Sequence, residues 1–369
     1  MCGRGTGSGR TYPDTLWYGN FWGYRLFRTP PFRTAHGIMT RIRISRDSGI
    51  PLLGSLYFGI VDRGTSLLQV RPSCGCNLNC PFCSVDAGPA STTRAADYEV
   101  DRTYLVDYVR EIARFKGRGV ECHIDSPGEP MLYQEIAALI ADLRSIPEVS
   151  VISLQTNGTL LTDRAIASLE SAGLDRINLS LHAIDPAIAR YLAGVPSYDV
   201  GQVLDAARAV AASVIDLLIA PVYLPEINDS EIRKLIPFAV EIGAGKRFPT
   251  LGIQKFERYR YGRIPKGMKV QSWWQFYNRS IKPWEQESGC RLIITPQDFG
   301  IEKRPRLKKV FEKGEKATVD IRAPGWLHGE MIGVARDRVV SVLNCRKTSG
   351  NLRVKVVSTK DGIYVAVPL

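Results

Sequence analysis

Between residues 67 and 256 short apolar runs alternate with longer segments of helical periodicity, and this alternation limits the fold more than any other feature. Leu67–Arg71 is short and apolar, as a buried strand is. Val100–Lys116 carries Leu105, Val109, Ile112 and Ala113 at helical spacing, with Asp101 near its start. Further strands are expected at Gly119–Ile124, Val149–Leu154, Arg176–Leu181, Leu217–Val222 and Thr250–Phe256. Helices are expected at Met131–Ile146, Thr162–Ala172, Asp185–Ala193, Val200–Ala212 and Ser230–Ile242, with Gly173 and Gly243 ending two of them. Strands spaced by helices imply βαβ units and a parallel sheet, here a partial (β/α)6 barrel over residues 67–260. In such a barrel the chemistry sits in the loops that follow the strands.

The pattern changes after residue 260. Residues 261–289 form a basic connector in which Trp273, Trp274, Phe276, Tyr277 and Trp284 fit one helix, expected to pack onto the barrel. From Lys316 on, short β-rich runs at Thr318–Ile321, Glu330–Val334, Val339–Leu343, Val354–Val357 and Tyr364–Val367 are punctuated by Gly325, Gly329, Gly333 and Asp337. Residues 290–369 are therefore expected to form a small antiparallel β-barrel. Residues 39–66 read as N-terminal strands. Residues 1–38, rich in Gly, Arg and aromatics, read as a flexible extension or a mis-called start, with Met39 as the working start; an organellar presequence is the other reading.

Cys76, Cys80 and Cys83 stand in a Cys-x3-Cys-x2-Cys arrangement on the loop after the first strand. Three thiolates so spaced reach three irons of one [4Fe–4S] cube and leave the fourth without a protein ligand. An open coordination position marks a metal used for chemistry. Zinc is the competing reading and needs a fourth ligand. Cys74 is too cramped against Cys76 to supply it, and His123 is the nearest histidine in sequence. Cys74 is read as structural, and Cys122 and Cys345 as buried thiols.

With Phe82 before the last cysteine, this motif resembles that of the radical S-adenosylmethionine (SAM) superfamily. In that family the open iron chelates the amino and carboxylate groups of SAM. One electron then breaks the S–C5′ bond and yields a 5′-deoxyadenosyl radical. Three later segments resemble the family's SAM site. Ser126-Pro127-Gly128-Glu129-Pro130 resembles its GGEP motif, with Pro127 in place of the first glycine. Thr156-Asn157-Gly158 looks like the loop beside SAM and substrate. Asn178-Leu179-Ser180-Leu181-His182 resembles the segment whose serine binds SAM. Alternation puts Asn178, Ser180 and His182 on one face, towards the barrel interior. The resemblance implies that Gly128, Glu129, Pro130, Thr156, Asn157, Gly158, Ser180 and Ile253 contact SAM. His182 is either a proton donor or a satisfied polar residue. The resemblance covers roughly Leu67–Phe256, and the layout is also similar to that of a set of archaeal radical SAM proteins.

The formal net charge of +12 is uneven. Cys76–Gln254 holds about 15 Lys and Arg against about 23 Asp and Glu, whereas Lys255–Lys360 holds about 24 against about 10. A basic end on an acidic middle points to a polyanion-binding part. Ala317–Val340 loosely resembles a TRAM-type RNA-binding barrel, and Lys303, Arg304, Arg306, Lys308 and Lys309 read as a phosphate-contacting strip. The expected substrate is thus a nucleotide of tRNA or rRNA, with a ferredoxin or flavodoxin as electron donor. The other readings are a protein, peptide or metabolite substrate, or a non-catalytic metal-binding module. Apolar runs are too short for a membrane helix, and four cysteines close together point to a reducing, cytoplasmic setting.

Overall fold

The structure is a computed structural model and describes residues 40–369; the reading of residues 1–38 lies outside them. Strand β1 (Thr40–Ile44) is followed by β2 (Gly59–Asp62), β3 (Leu67–Arg71) and β4 (Ala96–Val100). β1 pairs in parallel with β4, apart from the main sheet. Then come α1 (Arg102–Lys116), β5 (Val120–Ile124), α2 (Ile136–Arg144), β6 (Val149–Thr156), α3 (Asp163–Ser171), β7 (Arg176–Leu179), α4 (Pro186–Ala193), α5 (Val200–Ala212) and β8 (Asp216–Ile219). The main sheet runs β2-β3-β5-β6-β7-β8. Only β2 is antiparallel within it.

Local chemistry sets the element limits. The Asp101 carboxylate caps α1 by accepting from Tyr104 N–H, and the Asp185 carboxylate caps α4 by accepting from Ala187 and Ile188 N–H. α2 starts later than its apolar pattern predicts. Residues 130–132 first form a 3-10 turn whose Met131 N–H is taken by the Glu129 carboxylate. The sixth expected strand is reduced to a bridge between Leu251 and Ile219 and to β10 (Gln254–Lys255), which pairs with β9 (Val222–Tyr223) across the span holding α6 (Asp229–Glu241). The ladder breaks at Pro221, which has no N–H to give.

Trp273, Phe276, Tyr277 and Trp284 of the expected aromatic helix pack inward, Trp284 edge-on to Tyr223, while Trp274 faces out. The expected boundary at residue 290 falls inside the first barrel. Ile294, Phe299 and Ile301 pack with Leu67, Leu218 and Phe248 and plug its lower end. Ser66 N–H donates to Glu302 O, and Thr65 bridges Lys303.

The second barrel is closed and comprises β11 (Lys316–Pro324), β12 (Met331–Ala335), β13 (Arg338–Val342), β14 (Gly350–Ser358) and β15 (Tyr364–Pro368). Its pairs are antiparallel except β13–β15, which is parallel because β15 inserts between β13 and β14. The basic strip before it lies in the seam between the barrels. Arg304 donates to Arg118 O and pairs with Glu302. Arg306 donates to Arg63 O and faces Asp361, and Lys309 pairs with Glu312. Arg304, Arg306 and Lys309 thus have protein partners, while Lys303, Arg306, Lys308 and Lys309 stay exposed.

Candidate active site

Three loops at the C-terminal ends of β3, β5 and β6 are stitched together. After β3 comes the cysteine loop. After β5 comes Ser126–Pro130, whose Glu129 N–H donates to Gly75 O at 2.7 Å. A Cβ on Gly128 would sit 2.0 Å from Gly75 O and 2.6 Å from Cys74 O, so only glycine permits this approach. After β6, Asn157 Nδ2 donates to Asn77 Oδ1 at 2.9 Å, and Asn77 Nδ2 donates to Thr159 Oγ1 at 2.8 Å.

Glu129 braces the second loop against the third. Its buried carboxylate accepts from Met131 N–H, Thr156 Oγ1–H and Asn157 N–H at 2.7–2.9 Å. Burial raises its pKa to about 6, against the pull of those three bonds. With both oxygens in use, this carboxylate holds the walls of the site together.

The loops enclose a cavity of about 240 Å³. Cys76, Cys80 and Cys83 share one wall; Gly128, Glu129, Thr156, Asn157, Ser180 and His182 also line it. Pro130, Gly158 and Ile253 do not, and Ile253 is buried in the core next to Gln254, which does reach the cavity. Asn178 points into the barrel but lies deeper, accepting from Arg176 Nε. Gln155 Nε2 donates to Ser180 Oγ at 2.7 Å.

His182 Nδ1 accepts Val222 N–H at 3.0 Å, which places the ring proton on Nε2. Burial lowers its pKa to about 4, so it stands neutral, with the Phe82 ring edge-on beside it. A neutral imidazole can donate through Nε2–H but carries no second ring proton to give up.

Cys74 is fully buried away from the cavity, accepts Tyr98 N–H at 2.9 Å and is pushed up to about 11 by burial. Cys122 lies in the core of the first barrel and Cys345 in that of the second, neither on the cavity.

The cavity suits an iron–sulfur cluster. Burial pushes the Cys76 thiol up to about 12, and burial with the neighbouring thiols raises Cys80, so metal binding must displace protons there. Ala87 N–H donates to Cys83 Sγ at 3.2 Å, the kind of bond that tunes a cluster thiolate. Among the described residues no three such side chains converge closely enough for a single ion. A four-iron cube holds its thiolates further apart than one ion does. Ser126 Oγ is buried on the cavity wall without a partner, as a hydroxyl awaiting a ligand would be.

The far side of the cavity was not legible as a site. Leu56, Tyr57, Arg63, Tyr261 and Arg263 reach it, and so does Trp326 from the second barrel. Beneath it the barrel lumen is ionic. Arg71 pairs with Asp125 at 2.8 Å, and Arg176 pairs with Glu121 at 2.6 Å. The only sequence signal was polar alternation within strands, as in Glu121, His123 and Asp125.

The chain matches the radical SAM superfamily over residues 70–239. It is 40% identical over 351 residues to an uncharacterized protein of Methanocaldococcus jannaschii, covering 89% of this chain and 81% of that one. It is 28% identical over 312 residues to a probable GTP 3',8-cyclase of Pyrococcus abyssi, covering 83% and 90%. Against the probable GTP 3',8-cyclase of Methanosarcina mazei it is 34% identical over 172 residues, spanning 46% of this chain and about half, 49%, of that relative. Among solved structures, Streptococcus suis SuiB bound to S-adenosylmethionine is similar at TM-score 0.48 and 18% identity, over 62% of this chain and 49% of that one. No helix among the described residues is long and apolar enough to cross a membrane. The cysteine spacing, the barrel and the family match agree: this chain belongs to the radical SAM superfamily and is an enzyme whose cofactors are a [4Fe–4S] cluster and SAM.

Proposed function

We propose that Cys76, Cys80 and Cys83 hold the cluster, and that the enzyme abstracts hydrogen from a nucleotide seated between the two barrels. When bound, the cluster and SAM supply reductive cleavage of the S–C5′ bond and a hydrogen-abstracting radical; the electron comes from a donor such as a ferredoxin or flavodoxin. The residues of the chain bind, orient and exclude water. Gly128, Thr156, Asn157 and Ser180 form the SAM wall, with Ser126 Oγ free to donate to it. Glu129 fixes that wall, and Pro130, Gly158 and Ile253 support it from behind. Neutral His182 offers Nε2–H as a positioning donor.

One observation carries the substrate reading. The cavity is also lined by Tyr57, Tyr259, Tyr261 and Trp326, and by Arg63 and Arg263, whose charges are matched by Asp361 and Asp86. Planar molecules such as a nucleobase suit this aromatic lining. Relatives named GTP 3',8-cyclase act on a nucleotide by name, which supports the same class. A nucleotide within tRNA or rRNA is the second reading. It is favoured by the net charge of +12 and by exposed Arg346, Lys347, Arg353 and Lys355 on a TRAM-like second barrel.

The test is reduced, reconstituted enzyme given SAM with nucleoside triphosphates, or with tRNA and rRNA fragments. Deoxyadenosine release and mass-shifted product are the readouts. Free nucleotides should raise release above the uncoupled rate and yield a new product. Stimulation by RNA alone would move the substrate into the polymer. No response to either would leave a peptide, protein or other metabolite as substrate.

A further inference from the structure

The turn between β11 and β12 reaches out of the second barrel and pairs with the segment that leaves the cysteine loop. Arg94 and Leu327 form an antiparallel bridge. Ala95 N–H donates to Trp326 O at 2.7 Å, and His328 N–H donates to Thr93 O at 3.1 Å. Tyr98 Oη–H, just beyond, donates to Pro324 O at 3.0 Å. Backbone from residue 93 to residue 95 thus has a third-party strand added to it by a different domain.

Trp326 sits at the centre of this contact and is fully buried. One face of its ring stacks on Tyr57, with centroids 4.5 Å apart and planes within 3°. The Arg94 guanidinium lies 4.2 Å from its centroid. Arg94 is held in turn by an ion pair with Asp97, beside buried Cys74. The turn is itself rigid. A Cβ on Gly325 would meet the Glu330 side chain at 2.3 Å, and the buried Glu330 carboxylate accepts Leu327 N–H at 3.0 Å. Trp326 is also on the wall of the cavity that the three thiols line.

We propose that Trp326 is a positioning residue for the cysteine loop, which makes the second barrel a structural part of the catalytic centre rather than an appended module. The Tyr57–Trp326–Arg94 stack fixes the exit of the loop, and a fixed exit sets the separation of Cys76, Cys80 and Cys83. The proposal rests on the reading of those thiols as cluster ligands. It is separable from that reading, because it predicts a difference between variants in the metal-free chain as well.

The experiment compares the full chain with Trp326→Leu, which keeps apolar bulk but no ring, and Trp326→Phe, which keeps a ring in the stack. Alkylation rates of Cys76, Cys80 and Cys83 are read by peptide mass spectrometry in the metal-free protein. Iron retention against a chelator and the electron paramagnetic resonance spectrum with and without SAM are read after reconstitution. Loss of one aromatic stack and one cation–π contact should let the loop open, so Trp326→Leu should alkylate and lose iron about tenfold faster. Its resonance should broaden and its response to SAM shrink, while Trp326→Phe stays close to wild type. Wild-type alkylation, iron retention and spectra in a folded Trp326→Leu protein would overturn the proposal. If Trp326→Leu does not fold, hydrogen exchange in the wild-type chain decides. Residues 72–95 and 325–330 should then open as one unit, and independent opening would overturn it. A wild-type chain that takes up no iron would instead overturn the ligand reading and leave the alkylation comparison to judge the stack.

Discussion

The two barrels are filled in opposite ways. The second encloses Phe311, Val319, Ile321, Met331, Val340, Val354 and Val356, an apolar core of the ordinary kind. The lumen of the first is charged: Arg71 with Asp125, Arg176 with Glu121, and Lys116 with Asp62 at its edge. Gln69 and Ser153 complete the network by donating to Asp125 and Glu121 at 2.7 and 2.6 Å. Buried ion pairs contribute little net stability next to well-packed apolar residues, since desolvation offsets their attraction. In the first barrel Arg71–Asp125 joins the C-terminal ends of β3 and β5, where two site loops begin, and Arg176–Glu121 joins the opposite ends of β7 and β5. Among the described residues the second barrel carries no such pair in its core and does a simpler task, holding the Trp326 turn rigid.

This contrast is broken most sharply by removing one charge from the lumen. Arg71→Ala leaves Asp125 buried without its guanidinium and should destabilise the fold by about 3–5 kcal/mol. Urea denaturation measures it. Replacing the pair together, Arg71→Met with Asp125→Leu, should lose far less. A single substitution as mild as the double one would mean the pair is not buried as described.

Acid probes the same barrel at its upper end. Unfolded His182 takes its proton near pH 6.5, whereas burial lowers the folded value to about 4. The unfolded chain then binds more protons between those values, so stability falls as pH drops from about 6.5 to about 4, by up to roughly 3 kcal/mol from this group. His182→Gln should flatten that part of the stability curve, and an unchanged curve would remove the depressed histidine. In the second barrel, Ile321→Val should cost about 0.5–1.5 kcal/mol with no pH dependence, as a lost methylene in an apolar core does. The smallest effect is expected in the seam. Arg304 and Arg306 are held by Arg118 O and Arg63 O while Lys308 and Lys309 stay exposed, so changing all four to Gln should flatten the salt dependence of RNA binding by only about one. A slope flatter by roughly three would return the strip to phosphate contact.

Much of this was legible in the chain and some could not be. The alternation gave the strands and helices of the first barrel because each carries its own periodicity and cap. The second barrel's strands were legible for the same reason. The boundary at residue 290 was not, because Phe299 and Ile301 look alike as plug or as strand until their partners Leu67 and Phe248 are known. The three thiols and the Gly128–Glu129 and Thr156–Asn157 loops were legible as short motifs on one cavity. The ionic lumen was missed because its partners are far apart in sequence: Arg71 and Asp125 are separated by 54 residues. Trp326 was missed for a stronger form of the same reason. The Tyr98–Pro324 bond that anchors its turn spans 226 residues, and nothing local marks either end.

Cluster ligation by Cys76, Cys80 and Cys83 on one cavity wall, with Cys74 buried behind them, is the arrangement we propose for SAM cleavage. It is tested by anaerobic reconstitution of the wild type and of four single variants, Cys74→Ala, Cys76→Ala, Cys80→Ala and Cys83→Ala, with iron content and dithionite-driven 5′-deoxyadenosine formation read on each. Wild type and Cys74→Ala should carry about four irons and form deoxyadenosine, and the other three should do neither. Loss of the cluster in Cys74→Ala with retention in Cys76→Ala would overturn this ligand set, because it would put the buried thiol on the metal and the cavity thiol off it.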